Sequence, residues 1–135
     1  MRIPNLDYLQ PASFGSLELR QRANTEFIGQ PIDYSHEKTS EVRTLTIDSF
    51  GLGRIDLIKV DVQGMELDVL EGAAQSITRY HPALLVGSIK CDKGRLQNWL
   101  QRYDYQRFDV GMNTLAIHKD DKALDHIKVA PATAS

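Results

Sequence analysis

From Glu41 onward the apolar positions fall into regular patterns; before it they do not. Glu41–Ile47 alternates, with Val42, Leu45 and Ile47 apolar, and this predicts a strand. Asp48–Gly53 reads as a turn or a single helical turn. Ile55–Val60 is a nearly continuous apolar run interrupted by Asp56 and Lys59. That is the habit of a parallel strand buried on both faces. After Gly64, Leu67, Leu70, Ala74 and Ile77 recur at i, i+3, i+7 and i+10, with Val69 and Ala73 widening the stripe. The spacing predicts one helix. Pro82 ends it and opens another apolar run, Ala83–Val86. Leu96, Trp99 and Leu100 mark the apolar face of a second helix over about Lys93–Tyr103. Arg107–Val110 and Thr114–Lys119 then predict a hairpin through Gly111–Asn113. Strand, helix, strand, helix and a closing strand pair define an α/β chain, its sheet mainly parallel with an antiparallel edge hairpin.

Residues 1–40 differ in kind. They hold Pro4, Pro11 and Pro31 with Gly15 and Gly29, and their apolar residues follow no long period. They read as an irregular N-terminal arm with one short strand near Ser16–Arg20. A stretch this long without structure is uncommon inside a compact domain, so it is expected to be functional, packed on something else, or partly disordered. Residues 41–120 form the α/β domain. Residues 121–135 form a C-terminal tail, expected to be partly disordered, above all over Val129–Ser135.

Size and composition narrow the classes. A chain of 135 residues supports one compact domain. The net charge of -2 carries no basic excess, so neither nucleic acid nor an anionic membrane is an expected partner. The lone Cys91 excludes an intramolecular disulfide framework and a cysteine-rich zinc site, and points to a reducing, cytoplasmic compartment. No apolar run approaches the roughly 20 residues of a membrane span, and Met1–Ser13 lacks the apolar core of a signal peptide. His36, His81, His118 and His126 show no metal-ligand spacing, so no metal site is expected. Cys91 has no evident base, and Trp99 reads as core.

The chemistry concentrates in IDLIKVDVQGMELDVLEGA, Ile55–Ala73. In an open parallel sheet, ligands sit outside the carboxyl ends of the strands. Asp61 stands at that end of the most apolar strand, followed by Gln63 and by Glu66 in the first helical turn. Two carboxylates and an amide converging there suit a polar substrate, a general base or a hard cation. Plainer readings exist for each. Glu66 complements the helix dipole, Asp61 caps the helix, Lys59 pairs with Asp48 or Asp61, and Asp48 caps its own turn.

The same stretch resembles the hallmark of the FkbM-type methyltransferases, which use S-adenosylmethionine. The resemblance rests on Asp56, Ile58, Lys59, Asp61, Val62, Gly64, Glu66, Val69, Leu70, Gly72 and Ala73, with Gln63 where Glu is usual. Weaker likenesses lie at Leu6–Tyr8, Ser13–Gly15, Arg43–Phe50, Pro82–Val86 and Met112–Leu115. The resemblance implies a Rossmann-like sheet and O-methyl transfer to a small-molecule or sugar-like hydroxyl. It places Asp61 and Glu66 in catalysis, with Gln63 and Lys59 on the substrate. Two departures stand out. No glycine-rich turn precedes the hallmark strand, since Gly51-Leu52-Gly53 follows a turn and precedes a strand. Gly87–Ser88 also stands where a Glu is usual. The resemblance therefore implies the acceptor-side, carboxyl-terminal half of a truncated methyltransferase domain, inactive by itself. Its expected partner is a second copy or a missing cofactor-binding half. The alternative is a non-catalytic, homo-oligomeric or partner-binding remnant of that fold.

Overall fold

A computed structural model describes residues 1–128; the disorder expected over Val129–Ser135 lies outside the described residues. Two sheets are present. Strands β1 (Arg2–Pro4) and β2 (Thr39–Glu41) pair antiparallel and close the arm into a loop. The larger sheet contains β3 (Leu57–Val60), β4 (Ala83–Gly87), β5 (Tyr105–Val110) and β6 (Asn113–His118). Its spatial order is β3-β4-β6-β5. β3 and β4 run parallel, with Ile58 opposite Leu84 and Val60 opposite Val86, and β6 is antiparallel to both β4 and β5. The hairpin turns through Gly111 and Met112, as its pattern predicts.

The helices are α1 (Glu66–Glu71), α2 (Ala74–Tyr80) and α3 (Lys93–Arg102). Leu70, Ala73 and Ile77, with Leu96, Trp99 and Leu100 of α3, form one cluster with Ile58, Val60, Leu84, Val86 and Ala116 of the sheet. Each large apolar side chain buried this way contributes about 1.5–3 kcal/mol. Among the described residues, no helix is long and apolar enough to cross a membrane.

Four sequence expectations are corrected. The strand over Glu41–Ile47 shrinks to its start: Val42 still exchanges two backbone hydrogen bonds with Met1, but among the described residues no strand pairs with Arg43–Thr46, and Leu45 is 56% exposed. Ser16–Arg20 forms no strand; a 3-10 turn occupies Phe14–Ser16 instead. β3 is buried on one face only: Ile58 and Val60 are covered, while Leu57 is 59% exposed at an edge left unpaired among the described residues. The single helix expected after Gly64 is two, broken at Gly72–Ala73.

The break has a remote cause. Asp48 does not cap its own turn. Thr46 does, accepting the Ser49 N–H, while the Asp48 carboxylate accepts the N–H groups of Gln75 (3.0 Å) and Ser76 (2.8 Å). The Asp48 N–H in turn donates to the Gly72 carbonyl. A side chain 27 residues upstream thus starts α2. Burial pushes the Asp48 pKa up, but the Ser76 and Gln75 hydrogen bonds outweigh it and hold the carboxyl below its ordinary value.

The arm docks over the carboxyl end of the sheet through Lys90. Its ammonium meets Glu18 at 3.0 Å and Glu26 at 2.9 Å, and the Arg22 guanidinium donates to the Lys90 carbonyl. Burial pushes Lys90 down, but the two carboxylates more than offset it and hold the ammonium above its ordinary pKa.

Candidate functional site

The turn after β3 is built by two consecutive residues with left-handed backbones, Gln63 (φ 52°) and Gly64 (φ 96°). Glycine at 64 relieves the left-handed strain; a Cβ there would lie 2.6 Å from the Arg22 guanidinium of the arm, which would have to swing aside. The Gly64 N–H donates to the Glu66 carboxylate at 2.9 Å. Glu66 is therefore turned inward, 3% exposed, and binds the turn that precedes its own helix.

Asp61 leaves β3 at its carboxyl end and stays exposed. It does not cap α1, whose first residues receive no side-chain cap. Its carboxylate lies beside Gly87 at the end of β4, where a Cβ would stand 3.1 Å from Asp61 Oδ1. The small residue at 87 leaves room for this carboxylate. The Gln63 amide approaches the same oxygen at 3.4 Å.

All four residues singled out from the sequence line one pocket of about 280 Å³: Lys59, Asp61, Gln63 and Glu66. Gly87 forms part of its wall, and Ile89 and Met112 line it as well. Lys59 makes no ion pair among the described residues, contrary to its plainer reading; its side chain belongs to the pocket lining. Two polar lining residues were not among the site residues expected from the sequence, Lys90 and Asn113. Asn113 carried a weak signal as the residue opening the closing strand. Lys90 carried none, because its partners lie more than 60 residues away in the arm.

A larger cleft of about 760 Å³ adjoins this pocket and shares Gln63, Glu66 and Lys90 with it. The arm supplies one wall through Arg20 and Arg22, and α3 supplies the other. Trp99 is core, as expected, and its indole N–H reaches the cleft to bond Glu71 at 3.0 Å. Cys91 also lines the cleft. Burial first, with Glu66 and Asp92 adding, pushes its thiol up to about 11, so it is protonated and a poor nucleophile at neutral pH.

Carboxylate, amide and ammonium groups at the carboxyl ends of parallel strands define an α/β protein with a polar, substrate-sized recess. A comparison with protein families goes further: residues 5–107 match the methyltransferase FkbM domain. The match covers more than half of the chain, and the chain belongs to that family. No curated protein and no solved structure matches it. The family generally uses S-adenosylmethionine. The two glycines that precede β3, Gly51 and Gly53, follow a 3-10 turn and not a strand. Gly51 ends a 3-10 turn in the left-handed region, and open space surrounds both Gly51 and Gly53 where a Cβ would stand.

Proposed function

We propose that this chain supplies the acceptor side of an S-adenosylmethionine-dependent O-methyltransferase and holds a small-molecule or sugar-like hydroxyl at Asp61. One observation carries the reading: an exposed carboxylate at the end of a parallel strand, with room made for it by Gly87 and a pocket opening beside it. In this reading the acceptor hydroxyl donates to Asp61, which aligns it and takes its proton as the oxygen reacts. Gln63 and Asn113 bond neighbouring hydroxyls, and Lys59 offers a further donor. Glu66 acts as a positioning residue, because its carboxylate is committed to the Gly64 N–H. The cofactor is held outside the described residues or by a partner chain, so catalysis by these residues alone is not expected. In this reading the protein works in a reducing cytoplasm, in keeping with its single cysteine.

Amide chemical shifts test the acceptor site. Titration with polyhydroxylated compounds is expected to move Asp61, Gln63, Gly64 and Asn113, and Asp61→Ala is expected to abolish the movement. Shifts that persist in Asp61→Ala would remove Asp61 from the site.

The unpaired edge of β3, with Leu57 exposed, favours a second reading: a homo-oligomeric or partner-binding remnant of the fold, without catalysis. Light scattering separates the two, since a chain that stays monomeric up to its solubility limit does not use that edge for self-pairing.

A further inference from the structure

At the other end of the sheet from Asp61, three ligand-type side chains meet. His81 follows α2, and His118 ends β6. Their imidazoles stack with centroids 3.6 Å apart and planes 7° from parallel. Asp120 lies beside them, and one ligand atom from each of the three falls within 4.8 Å of the others. The spacing of 37 residues between the histidines hid this cluster from the sequence reading, which expected no metal site.

The contacts hold the cluster in a defined geometry. His118 Nδ1 accepts the Asp120 N–H at 3.3 Å, so in the neutral ring this nitrogen carries the lone pair. Asp120 Oδ2 stands 3.6 Å from the same nitrogen. The Asp120 carboxylate thus faces the imidazole cluster from one side, and a positive charge there, a ring proton or a bound cation, complements it. The nearest lysine, Lys119, is occupied by Asp104 at 2.9 Å. His118 is held firmly: it is 5% exposed, and the Tyr105 ring meets it edge-on. The Tyr105 hydroxyl donates to the carbonyl of Pro82, the neighbour of His81. His81 itself is exposed and sits on a left-handed backbone (φ 48°), which glycine or asparagine adopts more readily. One ligand is fixed, and another is free to turn out of the stack towards an ion.

We infer that His81, His118 and Asp120 form a binding site for a divalent, late first-row transition ion of the zinc or nickel kind. Two imidazoles select such ions over magnesium or calcium, which take oxygen ligands. His81 rotates so that its lone pair meets the ion, and water completes the coordination. The ion clamps the connection between α2 and β4 to the end of β6. Its place at the start of β4, opposite the Asp61 pocket, makes it structural, and it is independent of the acceptor reading.

The test is calorimetric titration of zinc chloride into the untagged chain. One ion per chain is expected to bind. His81→Ala and Asp120→Asn are each expected to weaken binding about 10-fold or more. Both positions are exposed, and the far-ultraviolet circular dichroism of each variant is expected to match that of the parent chain. A His36→Ala/His126→Ala double variant is expected to bind like the parent chain. Absence of saturable uptake would overturn the assignment. So would undiminished binding by His81→Ala and Asp120→Asn, which would place the ion elsewhere.

Discussion

β4 and the arm segment over residues 14–30 lie within reach of one another, yet different forces hold them. Leu84 and Val86 of β4 are fully buried in the apolar cluster shared by the sheet and its helices. Of the arm segment, Ile28 is buried but Phe14 and Phe27 are exposed, and polar contacts tie it to α1 and to the loop after β4: Glu18 and Glu26 to Lys90, Arg22 to the Lys90 carbonyl, Arg20 to Asp68. Apolar burial is collective and tolerant of sequence detail. A buried ion pair is neither, because removal of one partner strands the other. The sheet is therefore a scaffold that many substitutions weaken by degrees, and the arm is a clasp that one substitution opens. The clasp matters for function because Lys90 also lines the Asp61 pocket and Arg22 stands against Gly64.

The contrast breaks most severely at Trp99. Trp99→Ala removes the largest core side chain of α3, together with its bond to Glu71, and is expected to cost about 3–5 kcal/mol. Urea unfolding should show the loss as one transition, with arm and sheet melting together. Lys90→Met is expected to act locally. It leaves the Glu18 carboxylate buried without a counter-charge, at a cost of about 3 kcal/mol confined to the arm. Hydrogen exchange should then quicken around Ile28 while β4 stays protected. A Glu18→Gln/Lys90→Met pair should recover part of the protection, since no buried charge remains.

The smallest effect falls at Asp48. Asp48→Ala removes the carboxylate that starts α2 and is expected to cost about 1 kcal/mol at neutral pH. The folded pKa of Asp48 lies below its ordinary 3.8. The ionised carboxylate thus stabilises the fold fully above that ordinary value. Its contribution fades as pH falls through the lower, folded value. The stability gap between the parent chain and Asp48→Ala should accordingly narrow in strong acid, as urea unfolding at pH 6 and pH 3 would report.

What could be read in advance was whatever is local. The acidic turn was legible because Asp61, Gln63 and Glu66 lie within six residues, and a strand leading into a helix forces them to one end of the sheet. The hairpin and α3 were legible for the same reason. Contacts between distant residues were not. Val42 and Leu45 alternate as a strand does, but only a partner makes a strand, and among the described residues the partner ends with Met1 opposite Val42. Gly72–Ala73 sits inside an unbroken helical period; the break depends on Asp48, which the period does not register. Lys90 gains its meaning from Glu18 and Glu26, and His81 from His118, through folding alone.

The central claim concerns Asp61, and methyl transfer in a two-chain mixture tests it most directly. This chain would be combined with the cofactor-binding half of another member of the FkbM family, labelled S-adenosylmethionine and a polyhydroxylated acceptor. Transfer is expected only when both chains are present, and Asp61→Asn is expected to slow it about 100-fold. Transfer by Asp61→Asn at the parent rate would contradict the assignment and leave Asp61 as a feature of the turn alone.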